Sequence, residues 1–145
     1  MILKDSEKQY EVSVENDEAS IKKGSDIQKY SVIESVYELE KEGYCVLNNI
    51  YVNAGMEENF EARFLNRQSN LTTVEGFKAL RVMRAESGPY YVILSLWNSS
   101  QDFHNWQNSN QYQNTHKKRG TASGLDYEVV DRSQSFNVRF QLENE

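Results

Sequence analysis

Three patterns in this sequence predict an α+β fold. Four apolar-rich segments read as strands: "YCVLNNIYV" at 44–52, "FKALRVMRA" at 77–85, "YYVILSLW" at 90–97 and "FNVRFQL" at 136–142. Two segments with helical character fall between the first and second strand and between the third and fourth: "MEENFEARFLNRQ", and the run that follows Ser99. A charged N-terminal stretch, residues 1–42, carries shorter strand patterns of its own. It is too poor in large apolar side chains to fold alone, so it is expected to form a partial α/β unit packed on residues 43–145. The order within 43–145, β-α-β-β-α-β, describes a ferredoxin-like unit with a strand-containing N-terminal extension.

The elements follow in turn. "QYEVSV" places Tyr10, Val12 and Val14 on one side of a strand, Ile21 lies in a second, and "NDE" at 16–18 turns the chain between them. "YSVIESVYELE" admits two readings. Val32, Val36 and Leu39 fit a helix, whereas the β-branched and aromatic content favours a strand. In 44–52 the alternation puts Tyr44, Val46, Asn48, Ile50 and Val52 on one face and Cys45, Leu47, Asn49 and Tyr51 on the other. Both faces are largely apolar, so this strand is expected to be covered on both sides. "NAG" at 53–55 ends it. Phe60 and Phe64 then stand one helical turn apart, with Glu57 and Glu58 placed to complement the helix dipole. "EGF" at 75–77 leads into the next strand, and "SGP" at 87–89 turns it into the most apolar one. Trp97 ends that strand and reads as packing. Ser99, with Asp102 three residues on, is a cap for the following helix. "RGTASGLD" at 119–126 is a polar loop before the last strand.

Composition narrows the functional classes. With 145 residues, 38% hydrophobic and 12% aromatic, the chain can build a real core. A formal net charge of −6 argues against nucleic acid and anionic membrane surfaces as partners. The single cysteine, Cys45, cannot form an internal disulfide and suits a reducing cytoplasm. No apolar run approaches the ~20 residues of a membrane span. "MILKDSEKQY" is charged by its fourth residue, which does not fit a signal peptide. The expectation is a cytoplasmic, soluble protein. Neither a glycine-rich phosphate loop nor a zinc-spaced His/Cys cluster nor a nucleophile elbow occurs.

One polar segment stands out. In "WQNSNQYQNTHKKRG", Trp106 and His116 are separated by residues that include one aromatic and no aliphatic side chain. In a continuous helix they would be roughly 80° apart and ~15 Å along the axis, too far for one small ligand. "NSN" at 108–110 offers an interruption, because asparagine and serine favour caps and turns. A second short helix would then carry Tyr112 and His116 one turn apart. Each residue also has a plainer reading. His116 followed by "KKR" suits a solvated helix end, and Trp106 shares a helical side with Phe103 and suits a core. An amide at Asn48, on an apolar strand, must find hydrogen bonds, and a strand bulge would supply them.

"NNIYV", "ARFLNR", "EGFKALRVMR", "YVILSLW" and "FHNWQNSNQYQNTHKKRGTASGLD" together resemble the IsdG-type heme-degrading monooxygenases of the antibiotic biosynthesis monooxygenase (ABM) superfamily, most closely the HmoB-type branch. The resemblance covers about residues 43–143 and reaches more faintly into 10–42. It implies a barrel of the dimeric α/β type, in which two ferredoxin-like units cover each other's sheets. Here the N-terminal strands would stand in for one unit, favouring a monomer over a homodimer. It also implies a triad on Asn48, Trp106 and His116. His116 would be the axial ligand of heme iron, Trp106 would press on the porphyrin and distort it, and Asn48 would donate a hydrogen bond to dioxygen activated on the iron. A porphyrin is broad enough to meet both Trp106 and His116. Heme would then be both substrate and oxygen-activating centre, opened to release iron. Electrons would come from a separate reductase or a small-molecule reductant, since no flavin or nicotinamide motif is present. Lys117, Lys118 and Arg119 pair with propionates or simply solvate a helix end. His104, about 200° around the helix from Trp106, is read as a surface residue. Two other classes stay open: a heme-buffering protein without turnover, and a regulatory barrel that binds no heme.

Overall fold

Strands β1 (Ile2–Asp5), β2 (Tyr10–Glu15), β3 (Glu18–Lys23) and β4 (Asp26–Val36) form an antiparallel meander. After it come β5 (Tyr44–Val52), α1 (Glu57–Leu65), a 3-10 turn (Gln68–Thr73), β6 (Phe77–Ala85), β7 (Tyr90–Trp97), α2 (Ser100–Gln107), a short α3 (Asp126–Val129) and β8 (Val130–Gln141). The structure, a computed structural model, describes residues 1–65, 68–109 and 126–142. All the strands lie in one sheet of order β1-β2-β3-β4-β6-β7-β5-β8. Its last half, β6-β7-β5-β8, is the antiparallel sheet of a ferredoxin-like unit. The meander joins this unit through β4, which pairs with β6.

The sheet curls until its two ends meet. Tyr10 of β2 stacks on Phe140 of β8, ring centres 5.9 Å apart and 17° between planes. The Lys8 ammonium donates to the carbonyl of Arg139. The enclosed face buries Leu3, Val12, Val14 and Ile21 from the extension against Cys45, Leu47, Met83, Leu94 and Leu96 from the unit. Each fully buried Leu or Val there contributes about 1.5–3 kcal/mol. The other face of β5 is covered too: Val46 is 3% and Val52 1% exposed, under the helices. The two-sided cover read from the sequence of β5 is what this strand has. Burial also pushes the Cys45 thiol up, so it stays protonated and inert at neutral pH.

The turn at 16–18 forms as expected. β2 ends at Glu15, β3 starts at Glu18, and Asn16 takes φ 54°, the left-handed conformation that hairpin turns demand. The double reading of "YSVIESVYELE" resolves to strand as far as Val36. Val32 packs into the enclosed face, whereas Ile33 and Val36 pack under the helices, which one helical stripe cannot do. A bulge between Val32 and Glu34 absorbs the irregular spacing.

Four features differ from the sequence reading, the first being the short α3, which starts at Asp126 where a polar loop was expected to lead straight to the last strand. β1 was not expected, because its second inward position after Leu3 is a carboxylate. Asp5 is buried at 7% exposure and accepts from the backbone N–H of Lys8 at 3.3 Å. The 3-10 turn has no apolar period to announce it. β8 begins at Val130 rather than Phe136. Its polar first half bulges away from β5, and the Ser135 hydroxyl fills the gap, accepting from Tyr51 N–H at 2.9 Å and donating to the Asp131 carbonyl at 2.8 Å.

Candidate functional site

The helices lie over one face of β5, β6 and β7, and two apolar clusters hold them there. At one end α1 lays Phe60 on Tyr91, ring centres 4.7 Å apart, among Ile50, Val52, Val82 and Ile93. The Tyr91 hydroxyl donates to the Glu61 carboxylate, which also meets the Arg84 guanidinium at 3.2 Å. Burial first, then Glu61, pushes the Tyr91 phenol up, so it remains a neutral donor. At the other end α2 buries Phe103 at 3% exposure against Trp97 and Val46. Trp97 is fully enclosed and donates from its indole to Ser95 Oγ at 3.0 Å, which matches its reading as a packing residue.

Asn48 sits between the two clusters. Its same-face neighbours on β5 are Val46, which belongs to the α2 cluster, and Ile50, which belongs to the α1 cluster. Across the sheet it stands opposite Ile93 of β7 and Asn137 of β8. It is half-buried, and among the described residues no hydrogen bond engages its side-chain amide. The bulge that was an alternative home for this amide lies further on, between Asn49 and Tyr51. Asn49 points the other way, as alternation requires, and donates to the Leu47 carbonyl at 3.3 Å.

Trp106 is brought to the same face. It is half-buried against Trp97 at 5.5 Å and Phe103 at 6.1 Å between ring centres, on the cluster that Val46 anchors. Its helix is well placed for this. Ser99 caps α2, accepting from Asp102 N–H at 3.2 Å, while its hydroxyl donates to the Asp102 carboxylate at 3.0 Å. Gly76 makes that docking possible. Its φ is +84°, and a Cβ there would lie 2.4 Å from that of Asp102. The helix stops at Gln107. Asn108 caps it with φ −89° and ψ 0°, and the Ser109 hydroxyl donates to the Trp106 carbonyl at 2.6 Å. The break expected at 108–110 is therefore seen as far as residue 109. His116, Tyr112, Lys117, Lys118 and Arg119 lie outside the described residues. His104 is half-buried rather than a free surface residue, its ring 5.7 Å from Phe103.

Sequence reasoning passed over Arg139. The alternation of β8 carries Asn137, Arg139 and Gln141 to the helix-bearing face, and Arg139 stands opposite Val46. Its guanidinium lies over the Phe103 ring, 4.8 Å from the centre. The signal was present in "FNVRFQL", where every second residue is polar. It was read as ordinary strand patterning.

A model of the family described as antibiotic biosynthesis monooxygenase matches residues 43–118. A heme-degrading monooxygenase of Halalkalibacterium halodurans is 30% identical over 77 residues, covering 51% of this chain and 66% of that protein, just under two thirds of its length. Among solved structures, LmHde, a heme-degrading enzyme of Listeria monocytogenes, aligns with a TM-score of 0.61 and 16% identity, over 90% of this chain and 81% of its own. MhuD, crystallised as a variant with two manganese protoporphyrin IX molecules per active site, aligns with a TM-score of 0.57 and 18% identity, over 70% of this chain and 96% of its own. At these identities the two structures share the fold.

Proposed function

We propose that this chain, which belongs to the antibiotic biosynthesis monooxygenase family, binds heme on the helix-bearing face of its sheet and opens it oxidatively. The observation that carries this reading is Asn48. A half-buried amide without a protein partner is costly unless something else satisfies it. Among the described residues Asn48 stands in that state, with apolar clusters on both sides and Trp106 on the cluster next to it. An apolar site with a few convergent polar groups fits a flat, mostly apolar ligand. The residues present fit heme. The heme-degrading relative and the porphyrin-bound neighbour support the same class of ligand.

In this reading His116 supplies a neutral imidazole nitrogen to the iron. Trp106 presses its indole on the ring from the α2 side, backed by the fully buried Trp97. Asn48 turns its amide N–H toward the ligand from the sheet side. Heme, as substrate, brings the iron that activates dioxygen, and electrons come from a reductase or a small-molecule reductant. The flanking clusters keep water off the reacting face. The test is anaerobic titration with ferric heme, followed by air and ascorbate. Stoichiometric binding and then loss of the Soret band are expected. Heme that binds and stays intact would instead make the protein a heme buffer.

The same reading gives residues 1–42 the place of a second unit. They bury Val12, Val14 and Ile21 on the enclosed face that a partner would otherwise cover. The chain is then expected to sediment as a monomer across dilution. A persistent dimer would contradict this closure within one chain.

A further inference from the structure

Arg139 is held in place, and among the described residues no opposite charge answers it. It is half-buried, its guanidinium rests on Phe103 at 4.8 Å, and its own backbone carbonyl is engaged by Lys8. Among the described residues no carboxylate forms an ion pair with it, and its side chain makes no hydrogen bond. None of the side chains on this face of β5, β7 or the paired part of β8 is acidic. Gln141, its neighbour along the strand, is committed elsewhere, donating to the Gly43 carbonyl at 2.8 Å. On its other side Asn137 faces Asn48. Arg139 is thus one same-face step, about 7 Å, along the sheet from the pair that includes the Asn48 amide.

We propose that Arg139 anchors a carboxylate of the ligand that covers Asn48. This rests on the heme reading, in which the carboxylates are the porphyrin propionates. Arginine matches a carboxylate through two parallel N–H bonds, and its planar head stacks on an aromatic ring without losing those donors. A chain of net charge −6 repels an anionic ligand as a whole, so a local fixed cation favours receiving one. Phe103 is 3% exposed and sets the head group in advance, which lowers the ordering cost of binding.

The experiment compares ferric protoporphyrin IX with its dimethyl ester, titrated into the intact chain and followed by absorbance. The free acid is expected to bind about tenfold tighter than the ester, since a charge-assisted pair at a half-exposed site is of that order. Arg139→Gln should remove the preference by weakening the acid and leaving the ester unchanged. Arg139→Lys should restore part of it, a point charge lacking the two-pronged geometry. Equal binding of acid and ester by the wild-type chain would overturn the proposal while heme binding stood. So would an undiminished preference in Arg139→Gln. A wild-type chain that binds neither porphyrin would overturn the heme reading itself. The wild-type comparison needs no variant, so it decides even if a substitution impairs folding.

Discussion

Asn48→Ala is expected to leave ferric heme bound and to slow its oxidative opening by about a hundredfold, the usual cost of removing one aimed hydrogen-bond donor from a reacting centre. Little stability should be lost, because the amide has no partner among the described residues to strand. Asn49→Ala is the internal control. Asn49 is 9% exposed and bonded to the Leu47 carbonyl, so its loss should cost about 1 kcal/mol of stability and leave heme chemistry alone. His116→Ala should instead weaken binding and alter the ligand-sensitive absorption. Single-turnover kinetics and heme titration on the three variants separate these effects. Equal turnover in Asn48→Ala and wild type would remove Asn48 from the mechanism. An unchanged spectrum in His116→Ala would pass the ligand role to His104.

Trp97→Ala should lower unfolding stability by about 3–5 kcal/mol, the range for truncating a large buried aromatic. Trp97 is 0% exposed and meets Phe77 and Phe103 at 5.6 Å and Trp106 at 5.5 Å between ring centres. It is the surface on which α2 rests, so the variant should also lose the fixed position of Trp106. Urea unfolding measures the first effect, and Trp106 fluorescence in the folded variant reports the second. A loss below about 1 kcal/mol would mean that the cluster closes over the gap.

Much of the fold was legible because its signals are local. β5, β6 and β7 carry apolar residues to both faces or in alternation, and Ser99 with Asp102 announces the start of α2. The elements that escaped are those whose inward positions are not apolar. Asp5 disguised β1, and the polar bulge in β8 hid its first half. The ambiguity of β4 was real in the sequence. Only pairing with β3 and β6 decides it, since strand preference depends on the neighbours available.

For the site, the division falls between direction and company. Strand period alone determined that Asn48 and Asn49 face opposite ways and that Trp97 turns with Ser95, and helical period that Trp106 shares a side with Phe103. Composition alone determined that the chain is acidic and rich enough in aromatics to fold. The tertiary structure decided what stands beside each of these residues. It set Asn48 between the α1 and α2 clusters without a hydrogen-bond partner among the described residues, laid Trp106 on Trp97, and brought Arg139 onto Phe103. It also turned the extension's Val12 and Ile21 onto the inner face of a sheet whose last strand lies far along the chain. A side chain's direction follows from the backbone torsions of its own few residues, whereas its neighbours are set by pairings between distant segments, such as Tyr10 with Phe140. The closure of those long loops is decided by the burial of the whole core rather than by any local pattern.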